Sequence, residues 1–217
     1  VLDHYRPHIP IHPDWPMVEL GKVSQVISGF SFDSKDFAPN NPVKCVKIAN
    51  VGVREFVVDE ENNLPFDYRE TYPTYMLRSG DLVIALTRSI ISTGLKVAVV
   101  PLEYHHSLLN QRVAAIRERQ DISDIRFIYY SLCSVPTYRY IEEKARSLMQ
   151  PNLSVVDLKK LEIPIPPITT QRGIVAEIEA EQGLVAANRE LINRFEQKIQ
   201  VALARIWGKV EATKDEV

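Results

Sequence analysis

The C-terminal part of the chain is a long stretch that lacks proline and carries a β-branched apolar residue at every seventh position. No proline follows Pro167, and Thr169 or Thr170 can supply a helix N-cap. Residues spaced by seven lie near one face of an α-helix, because two helical turns take about 7.2 residues. The stretch predicts one helix of roughly 38 residues, about 57 Å long, that ends near Trp207. The β-branched positions are Ile178, Val185, Ile192, Ile199 and Ile206.

The same stretch has the pattern of a coiled-coil seam. Its companion heptad positions include the polar residues Glu181 and Asn188, which specify register at a cost in stability. Gly183 weakens the helix by about 1 kcal/mol relative to alanine, so it is a candidate position for a break. We expect the helix to project and to pair with another helix, and the alternative is that it folds back onto its own domain. The predicted pairing residues are Ile174, Ile178, Val185, Ile192, Phe195, Ile199 and Ile206.

The residues before this helix carry the short apolar runs of a β-rich domain, separated by turn signals such as Ser79-Gly80-Asp81. Runs of this length are typical of strands that are buried on at least one face. The predicted strands are Val18-Glu19-Leu20, the Val23 to Ile27 segment, Val43 to Ile48, Phe56-Val57-Val58, Leu82 to Leu86, Lys96 to Val100 and Arg112 to Arg117.

Helix signals follow these strands. Ser123 or Asp124 can cap a helix that Pro136 is predicted to end, Thr137 can cap the next, and Ser154 opens a short one. The segment Ile163-Pro164-Ile165-Pro166-Pro167 can be neither helix nor central strand and predicts a rigid boundary. The whole pattern predicts an α+β fold, in which a β-rich mixed globular domain with flanking helices precedes the long coiled-coil-like helix.

Composition limits the class of partner. The chain has 26 Lys and Arg against 28 Asp and Glu, a net charge of −2, so any binding of nucleic acid must be local. No apolar run approaches the ~18 residues that cross a bilayer, and the N-terminus lacks a signal-peptide pattern, so we expect a cytoplasmic protein. Cys45 and Cys133 are too few for a disulfide framework and are expected to be free thiols.

Motifs for catalysis or for metal binding are not found. The sequence has no G-x-G-x-x-G, no phosphate-binding loop, no G-x-S-x-G and no H-E-x-x-H. His105-His106 is the best remaining catalytic candidate, but its position after a predicted strand favours a turn. We therefore expect no catalytic residue, no metal and no cofactor on this chain. An enzyme with an unrecognised site and a protein-interaction scaffold built on the long helix are the alternatives.

Basic, amide and hydroxyl residues near predicted loop ends and strand starts are candidates for contacts with DNA. Arg and Lys bind phosphates, whereas bidentate Arg to guanine, and Asn or Gln to adenine, read bases. Each residue alone is equally compatible with an ordinary surface position. The candidates are Lys44, Lys47, Asn50, Thr87, Arg88, Ser89, Ser92, Thr93, Lys96, Arg112, Lys144, Arg146 and Gln150.

Several short motifs occur in an order that resembles a known family. The first series is Trp15-Pro16-Met17-Val18-Glu19-Leu20-Gly21, Gly29-Phe30-Ser31-Phe32, Val46-Lys47-Ile48-Ala49-Asn50-Val51, Gly80-Asp81-Leu82-Val83-Ile84 and Leu109-Asn110-Gln111-Arg112. The second series is Gln150-Pro151-Asn152-Leu153-Ser154, Ile163-Pro164-Ile165-Pro166-Pro167 and Gln171-Arg172-Gly173-Ile174-Val175. Together with the long helix they resemble one target recognition domain and its spacer helix from the specificity subunit of type I restriction-modification systems.

The resemblance implies a non-catalytic module that reads one half of a bipartite DNA target. It implies a DNA adenine methyltransferase subunit and a restriction/translocase subunit as partners, which would hold S-adenosylmethionine, ATP and Mg. The implied organisation is a Pro-rich linker at 1–14, a recognition domain at 15–168, a spacer and dimerisation helix at 169–210 and a tail at 211–217. A complete subunit of that family has two recognition domains, so this chain is a half-subunit that homodimerises, a fragment, or part of a methyltransferase fusion.

Overall fold

In the computed structural model the described residues are 9, 12–91, 94–146 and 152–207, with backbone alone described for 144–146. They divide into two compact units, one ending at Val175 and the other beginning at Ala176. The prediction of an α+β domain followed by a long C-terminal helix is confirmed. The strands are β1 Met17–Glu19, β2 Ser24–Ser28, β3 Val43–Val46, β4 Asn63–Leu64, β5 Leu82–Ala85, β6 Ile90–Ile91, β7 Gly94–Leu95, β8 Val97–Val99, β9 Leu108–Leu109, β10 Val113–Glu118 and β11 Glu162–Pro164.

The helices lie between and after these strands. Short 3-10 turns occur at Ser34–Asp36, Ile48–Asn50, Pro73–Tyr75 and Leu102–Tyr104. The α-helices are α1 Leu20–Val23, α2 Tyr68–Thr71, α3 Ile125–Leu132, α4 Val135–Arg146, α5 Val155–Lys160 and α6 Ile168–Trp207.

A four-stranded antiparallel sheet in the order β2-β10-β5-β8 forms the centre of the first unit. Its register sets Ala115 of β10 opposite both Ile27 and Val83. All four residues of β5 are fully buried, because both faces of the sheet are covered. One face packs under the helices, with Leu82 and Ile84 in a cluster with Leu158. The other face packs on the β3 layer through Val83 and Ala85.

Four local predictions are wrong. Phe56 forms only an isolated bridge with Val51, so 56–58 is not a strand, and Leu20 starts α1 rather than ending β1. Pro136 lies in the first turn of α4 instead of simply ending α3, since its missing N–H is not needed there. Thr137 does not cap α4, because its hydroxyl donates to the carbonyl of Ser131 at 2.7 Å.

The start of the long helix also differs from the prediction. Neither Thr169 nor Thr170 caps it, because α6 begins at Ile168. The carbonyl of Pro167 accepts from the N–H groups of Thr170 at 2.9 Å and Gln171 at 3.0 Å. A proline fits this place, since the first helical bonds need its carbonyl but not an N–H. The segment before it pairs only with β1 among the described residues, as an edge strand with proline can.

Candidate nucleic-acid interface

Three of the predicted cations come together where strands of the central sheet end. Arg88 follows β5, Lys96 precedes β8 and Arg112 precedes β10. Antiparallel pairing brings these strand ends together. The backbone N–H of Leu86 donates a hydrogen bond to the carbonyl of Arg112 at 2.8 Å, and that of Ala85 donates to the carbonyl of Lys96 at 3.1 Å. We call Thr87, Arg88, Lys96 and Arg112 the basic end of the sheet.

The basic end is electropositive and its cations have no acidic partners. Arg88 and Arg112 are exposed and Lys96 is half-buried. Burial lowers the pKa of Lys96 first, and the nearby charge of Arg88 lowers it further. Within the described part of the chain, no carboxylate pairs with any of the three cations. These groups are therefore available to an anionic ligand, and phosphate is the anion that clusters of Arg and Lys favour.

The backbone at both arginines is left-handed. The φ angle is +48° at Arg88 and +67° at Arg112. Residues other than glycine rarely adopt this region and pay about 1 kcal/mol or more for it. Strained backbone of this kind concentrates at functional sites, so it adds a second reason to place the interface here.

Two other predicted cations lie in a different part of the unit. The Lys47 Nζ donates to Asn62 Oδ1 at 2.5 Å and lies 3.4 Å from the centre of the Phe37 ring. The Lys44 Nζ is 3.9 Å from Glu103 and 4.5 Å from the centre of the Tyr104 ring. Both side chains are partly buried and already have partners, so they do not join the basic end.

The structure contradicts the assignment of two residues to a DNA contact. Asn50 is fully buried, where its amide donates to Val57 O at 2.8 Å and its Oδ1 accepts from Lys47 N at 2.7 Å. Ser89 is also buried, with 1% of its surface exposed. Neither can reach a base. Five further candidates lie outside the described residues or side chains, namely Ser92, Thr93, Lys144, Arg146 and Gln150.

The motifs that carried the family resemblance are mostly structural. A Cβ on Gly29 would lie 1.9 Å from the carbonyl oxygen of Asn110, so only glycine fits beside that strand. Phe30 then pairs with Asn110 in a parallel bridge. Asp81 is buried and accepts two hydrogen bonds from the guanidinium of Arg117, at 2.9 and 2.7 Å. These motifs hold the fold that positions the basic end.

Gln171 belongs to the last of the family motifs but was given no role from the sequence, yet its buried amide makes three hydrogen bonds to backbone groups. Its Oε1 accepts from Asp124 N at 2.9 Å, and its Nε2 donates to Ile122 O at 3.0 Å and Pro166 O at 2.8 Å. The residue ties the first turn of α6 to the N-terminus of α3. In the sequence, an amide side chain shortly after the proline-rich boundary is the signal that could have indicated this role.

The seam residues of α6 change from buried to exposed along the helix. Ile178 is buried, Val185 is half-buried, and Phe195 and Ile199 are exposed by 53% and 55%. Sequence reasoning missed Leu184 and Leu191, which repeat at the same seven-residue spacing and widen the apolar stripe. An exposed stripe of this size on a soluble helix is typical of an interaction surface.

The described residues contain neither a metal-binding cluster nor a membrane-spanning helix. No group of three or more His, Cys, Asp or Glu side chains is placed to hold a metal ion. Among the described helices, none is both long and apolar enough to span a membrane.

Comparison with known proteins identifies similar sequences. Residues 13–197 match the sequence model of a family described as type I restriction modification DNA specificity domain. The type I restriction enzyme MjaVIII specificity subunit of Methanocaldococcus jannaschii is 30% identical over 207 residues, which are 92% of this chain and 47% of that protein. The EcoAI specificity subunit of Escherichia coli is 27% identical over 167 residues, 76% of this chain and 28% of that protein. The chain thus spans about half the length, or less, of these relatives.

Two solved structures share the fold. The first is a chain from a structure that describes the complex assembly and conformational transition of the type I R-M system. It matches with a TM-score of 0.61 at 22% identity, over 92% of this chain and 46% of that one. The HsdS subunit from Thermoanaerobacter tengcongensis matches with a TM-score of 0.59 at 24% identity, over 97% of this chain and 45% of that one.

Proposed function

The chain belongs to the type I restriction modification DNA specificity domain family, and we propose that its first unit reads one half of a bipartite DNA target through the basic end of the sheet. The observation that carries this proposal is the convergence of Arg88, Lys96 and Arg112 at one end of the sheet, where the described residues provide no carboxylate partner. Phosphate contacts from such groups orient a protein on duplex DNA, and an arginine in the same cluster can reach a base edge.

The proposed role is recognition without catalysis. Methyl transfer and cleavage would belong to a DNA adenine methyltransferase subunit and a restriction/translocase subunit, which would hold the S-adenosylmethionine, ATP and Mg. The missing catalytic motifs and the names of the relatives, which are specificity subunits, support this division.

The long helix is proposed to pair with a second helix and to act as a spacer between half-sites. The exposed apolar stripe of α6 supports pairing, because about 48–71% of the surface of Ile192, Phe195, Ile199 and Ile206 is accessible. The chain spans about half of its relatives, so the second helix comes either from another copy of this chain or from a further part of a longer polypeptide. Two copies related by a two-fold axis would read a symmetric target.

The test is selection from randomised DNA. The chain, with its methyltransferase partner present, is mixed with a pool of randomised duplexes at two salt concentrations, and the retained DNA is sequenced. We expect a defined motif whose binding weakens with salt, since each phosphate contact contributes a slope of about −0.9 to log K against log salt. A gapped palindrome would indicate a homodimer and a single half-site would indicate a fragment. No enrichment at either salt would contradict the proposal.

Two substitutions test whether the basic end recognises the selected DNA motif. Arg88→Ala and Arg112→Ala should each weaken binding about tenfold or more, because a charge-assisted hydrogen bond to DNA is worth roughly 1.5 kcal/mol or more. Loss of preference at one base pair would identify a base contact, and uniform weakening would identify a phosphate contact. Lys160→Ala is the matched control, since it removes an exposed cation from α5 in the helical layer. Wild-type affinity in both arginine variants would remove the basic end from the interface.

A further inference from the structure

A second group of cationic side chains lies toward the opposite end of β5. Arg78 precedes this strand and Arg88 follows it. Near Arg78 are Arg69 of α2 and the pair His105 and His106, which follow the 3-10 turn Leu102–Tyr104. We call Arg69, Arg78, His105 and His106 the His–Arg cluster. The proposed function does not use it.

Hydrogen bonds hold this cluster in place. The N–H of Ser79 donates to Nδ1 of His105 at 3.1 Å, and Nε of Arg69 donates to the carbonyl of His106 at 3.2 Å. The two imidazole rings lie with their centres 3.9 Å apart and their planes tilted by 37°. Since Nδ1 of His105 is an acceptor, the neutral ring carries its proton on Nε2 and presents that N–H as a donor.

The cluster concentrates positive charge. The pKa of His106 is lowered by desolvation first, and then by the charges of His105, Arg69 and Arg78. Three carboxylates close to the cluster have other partners, because Asp81 pairs with Arg117 at 2.7 Å, Glu103 lies 3.9 Å from Lys44, and Glu118, which lines the same cavity as Arg78, accepts from Ile125 N at 2.9 Å. Within the described residues, no carboxylate pairs with Arg69 or Arg78. The two guanidinium groups and the two imidazole rings therefore form a cationic surface that can bind an anion.

We propose that the His–Arg cluster binds a backbone phosphate of the same duplex that the basic end reads, so that the DNA runs along the direction of β5. This inference rests on the proposed function. From Asp81 to Leu86 the chain takes five steps of about 3.3 Å, which is about 17 Å. Base pairs rise about 3.4 Å, so this segment, which lies between the two clusters along the chain, is about as long as five base pairs.

The chemistry of the cluster favours phosphate over an acidic protein surface. Guanidinium groups present paired N–H donors that match the oxygens of a phosphate, and the Nε2–H of His105 and the imidazolium of His106 add further donors. A contact with backbone phosphate requires no particular base, so this end contributes affinity and orientation but not sequence preference.

Titration of His106 makes the contact depend on pH. In the free protein the protonated form of His106 is disfavoured, so its pKa lies below the usual value. A bound phosphate favours the protonated form and raises that pKa. By linkage, the affinity for DNA must then rise as the pH falls through the range between the raised pKa of His106 in the complex and its lowered pKa in the free protein.

The first measurement follows the histidine rings of the full chain by NMR while inorganic phosphate is added. We expect the resonances of His105 and His106 to shift and the pKa of His106 to rise. His12, which lies outside the cluster, provides the internal control. If phosphate leaves both rings of the cluster unchanged, the anion site is refuted, whatever the chain does with DNA.

The second measurement compares DNA affinity at about pH 8 and pH 6 for the wild type, for His105→Gln with His106→Gln, and for Arg78→Gln. Arg78→Gln keeps the hydrogen bond of 2.7 Å that the backbone N–H of Arg78 donates to the carboxylate of Asp81. The variant therefore removes the positive charge without disturbing the turn. We expect about a tenfold loss on every duplex sequence and a salt slope smaller by about one, with the histidine variant also losing its pH dependence. Lys160→Gln should behave as the wild type.

The outcomes separate this inference from the proposed function. If Arg88→Ala weakens binding while the His–Arg variants bind as the wild type does, the proposed function stands and this inference is overturned. If phosphate shifts the histidines but the variants lose only their affinity for the partner subunit, the cluster binds an acidic protein and the DNA assignment is wrong. If the wild type binds no DNA, both proposals fail.

Discussion

At the scale of single residues, the family motifs describe how the chain packs more than what it binds. Gly29 lies against the Asn110 carbonyl, and Asp81 is buried beside Arg117. The arginines of the basic end are different, because they are exposed and have left-handed backbone. Gly29 and Asp81 thus act inside the fold, whereas the exposed arginines are placed to contact a ligand.

Gly29→Ala tests the first kind of residue. The new methyl group would meet the Asn110 carbonyl oxygen at 1.9 Å, and a backbone atom cannot move aside as a flexible side chain does. We expect the first unit to lose roughly 3 kcal/mol, or about 6–12 °C in melting temperature, as measured by calorimetry. Gly173→Ala is the matched control, since nothing lies within 4 Å of its Cβ and a helical alanine adds about 0.5–1 kcal/mol. Equal melting of Gly29→Ala and the wild type would show that the strand can shift.

At the scale of elements, polar contacts at helix ends connect α3, the proline-rich boundary and the first turn of α6. Asp124 caps α3 by accepting from the N–H groups of Arg126 at 2.9 Å and Phe127 at 3.3 Å. The N–H of Asp124 donates in turn to Gln171 of α6. The direction of the first turns of α6 therefore depends on one amide that reaches α3 and the proline-rich boundary together.

Gln171→Ala removes this connection. Three backbone groups, at Ile122, Asp124 and Pro166, lose their partner, and the one at Pro166 is buried, where an unsatisfied polar group costs about 1–3 kcal/mol. We expect a loss of about 2–3 kcal/mol in the free energy of unfolding by urea, with an unchanged slope. Gln197→Ala, at an exposed position of the same helix, should change it by less than about 0.5 kcal/mol. A wild-type urea midpoint for Gln171→Ala would mean that water replaces the amide at no cost.

At the scale of the whole molecule, the chain has a compact unit built on a sheet and a second unit that is one helix with an apolar stripe. The compact unit has a buried core of its own, which includes all of β5 and the first four residues of β10. The helix has no buried core of its own, since the large apolar side chains that follow Ile178 up to Trp207 are exposed or half-buried. Pairing with another helix is what would bury them.

Val185→Asp combined with Ile192→Asp places two charges on this stripe. Burying an unpaired carboxylate in a helix seam is strongly unfavourable, so pairing should be lost while the first unit stays folded. Light scattering should show the mass fall to that of one chain, with unchanged near-UV circular dichroism. Ala186→Asp combined with Asn193→Asp adds two carboxylates beside the stripe and should keep the mass of the wild type. A single-chain mass for the wild type itself would rule out a homodimer.

Local patterns in the sequence determined most of the elements. The seven-residue repeat predicted a helix to Trp207, and Asp124 and Ser154 were among the predicted caps that the structure confirms. These predictions succeed because periodicity and capping depend on residues within one or two turns. The errors at Pro136 and at the start of α6 arise because proline fits in or just before the first turn of a helix, where its missing N–H is not needed. At Phe56 the apolar run forms only an isolated bridge with Val51 and no ladder.

The tertiary structure alone decided which candidate residues can act together. Arg88 and Arg112 are far apart in the sequence, and the register of β5 against β10 places them side by side. Asn50 had the right chemistry for reading adenine, but its amide is used inside the fold. A sequence shows which groups a chain carries, whereas exposure and proximity depend on strand pairing and on which hydrogen bonds the folded backbone requires.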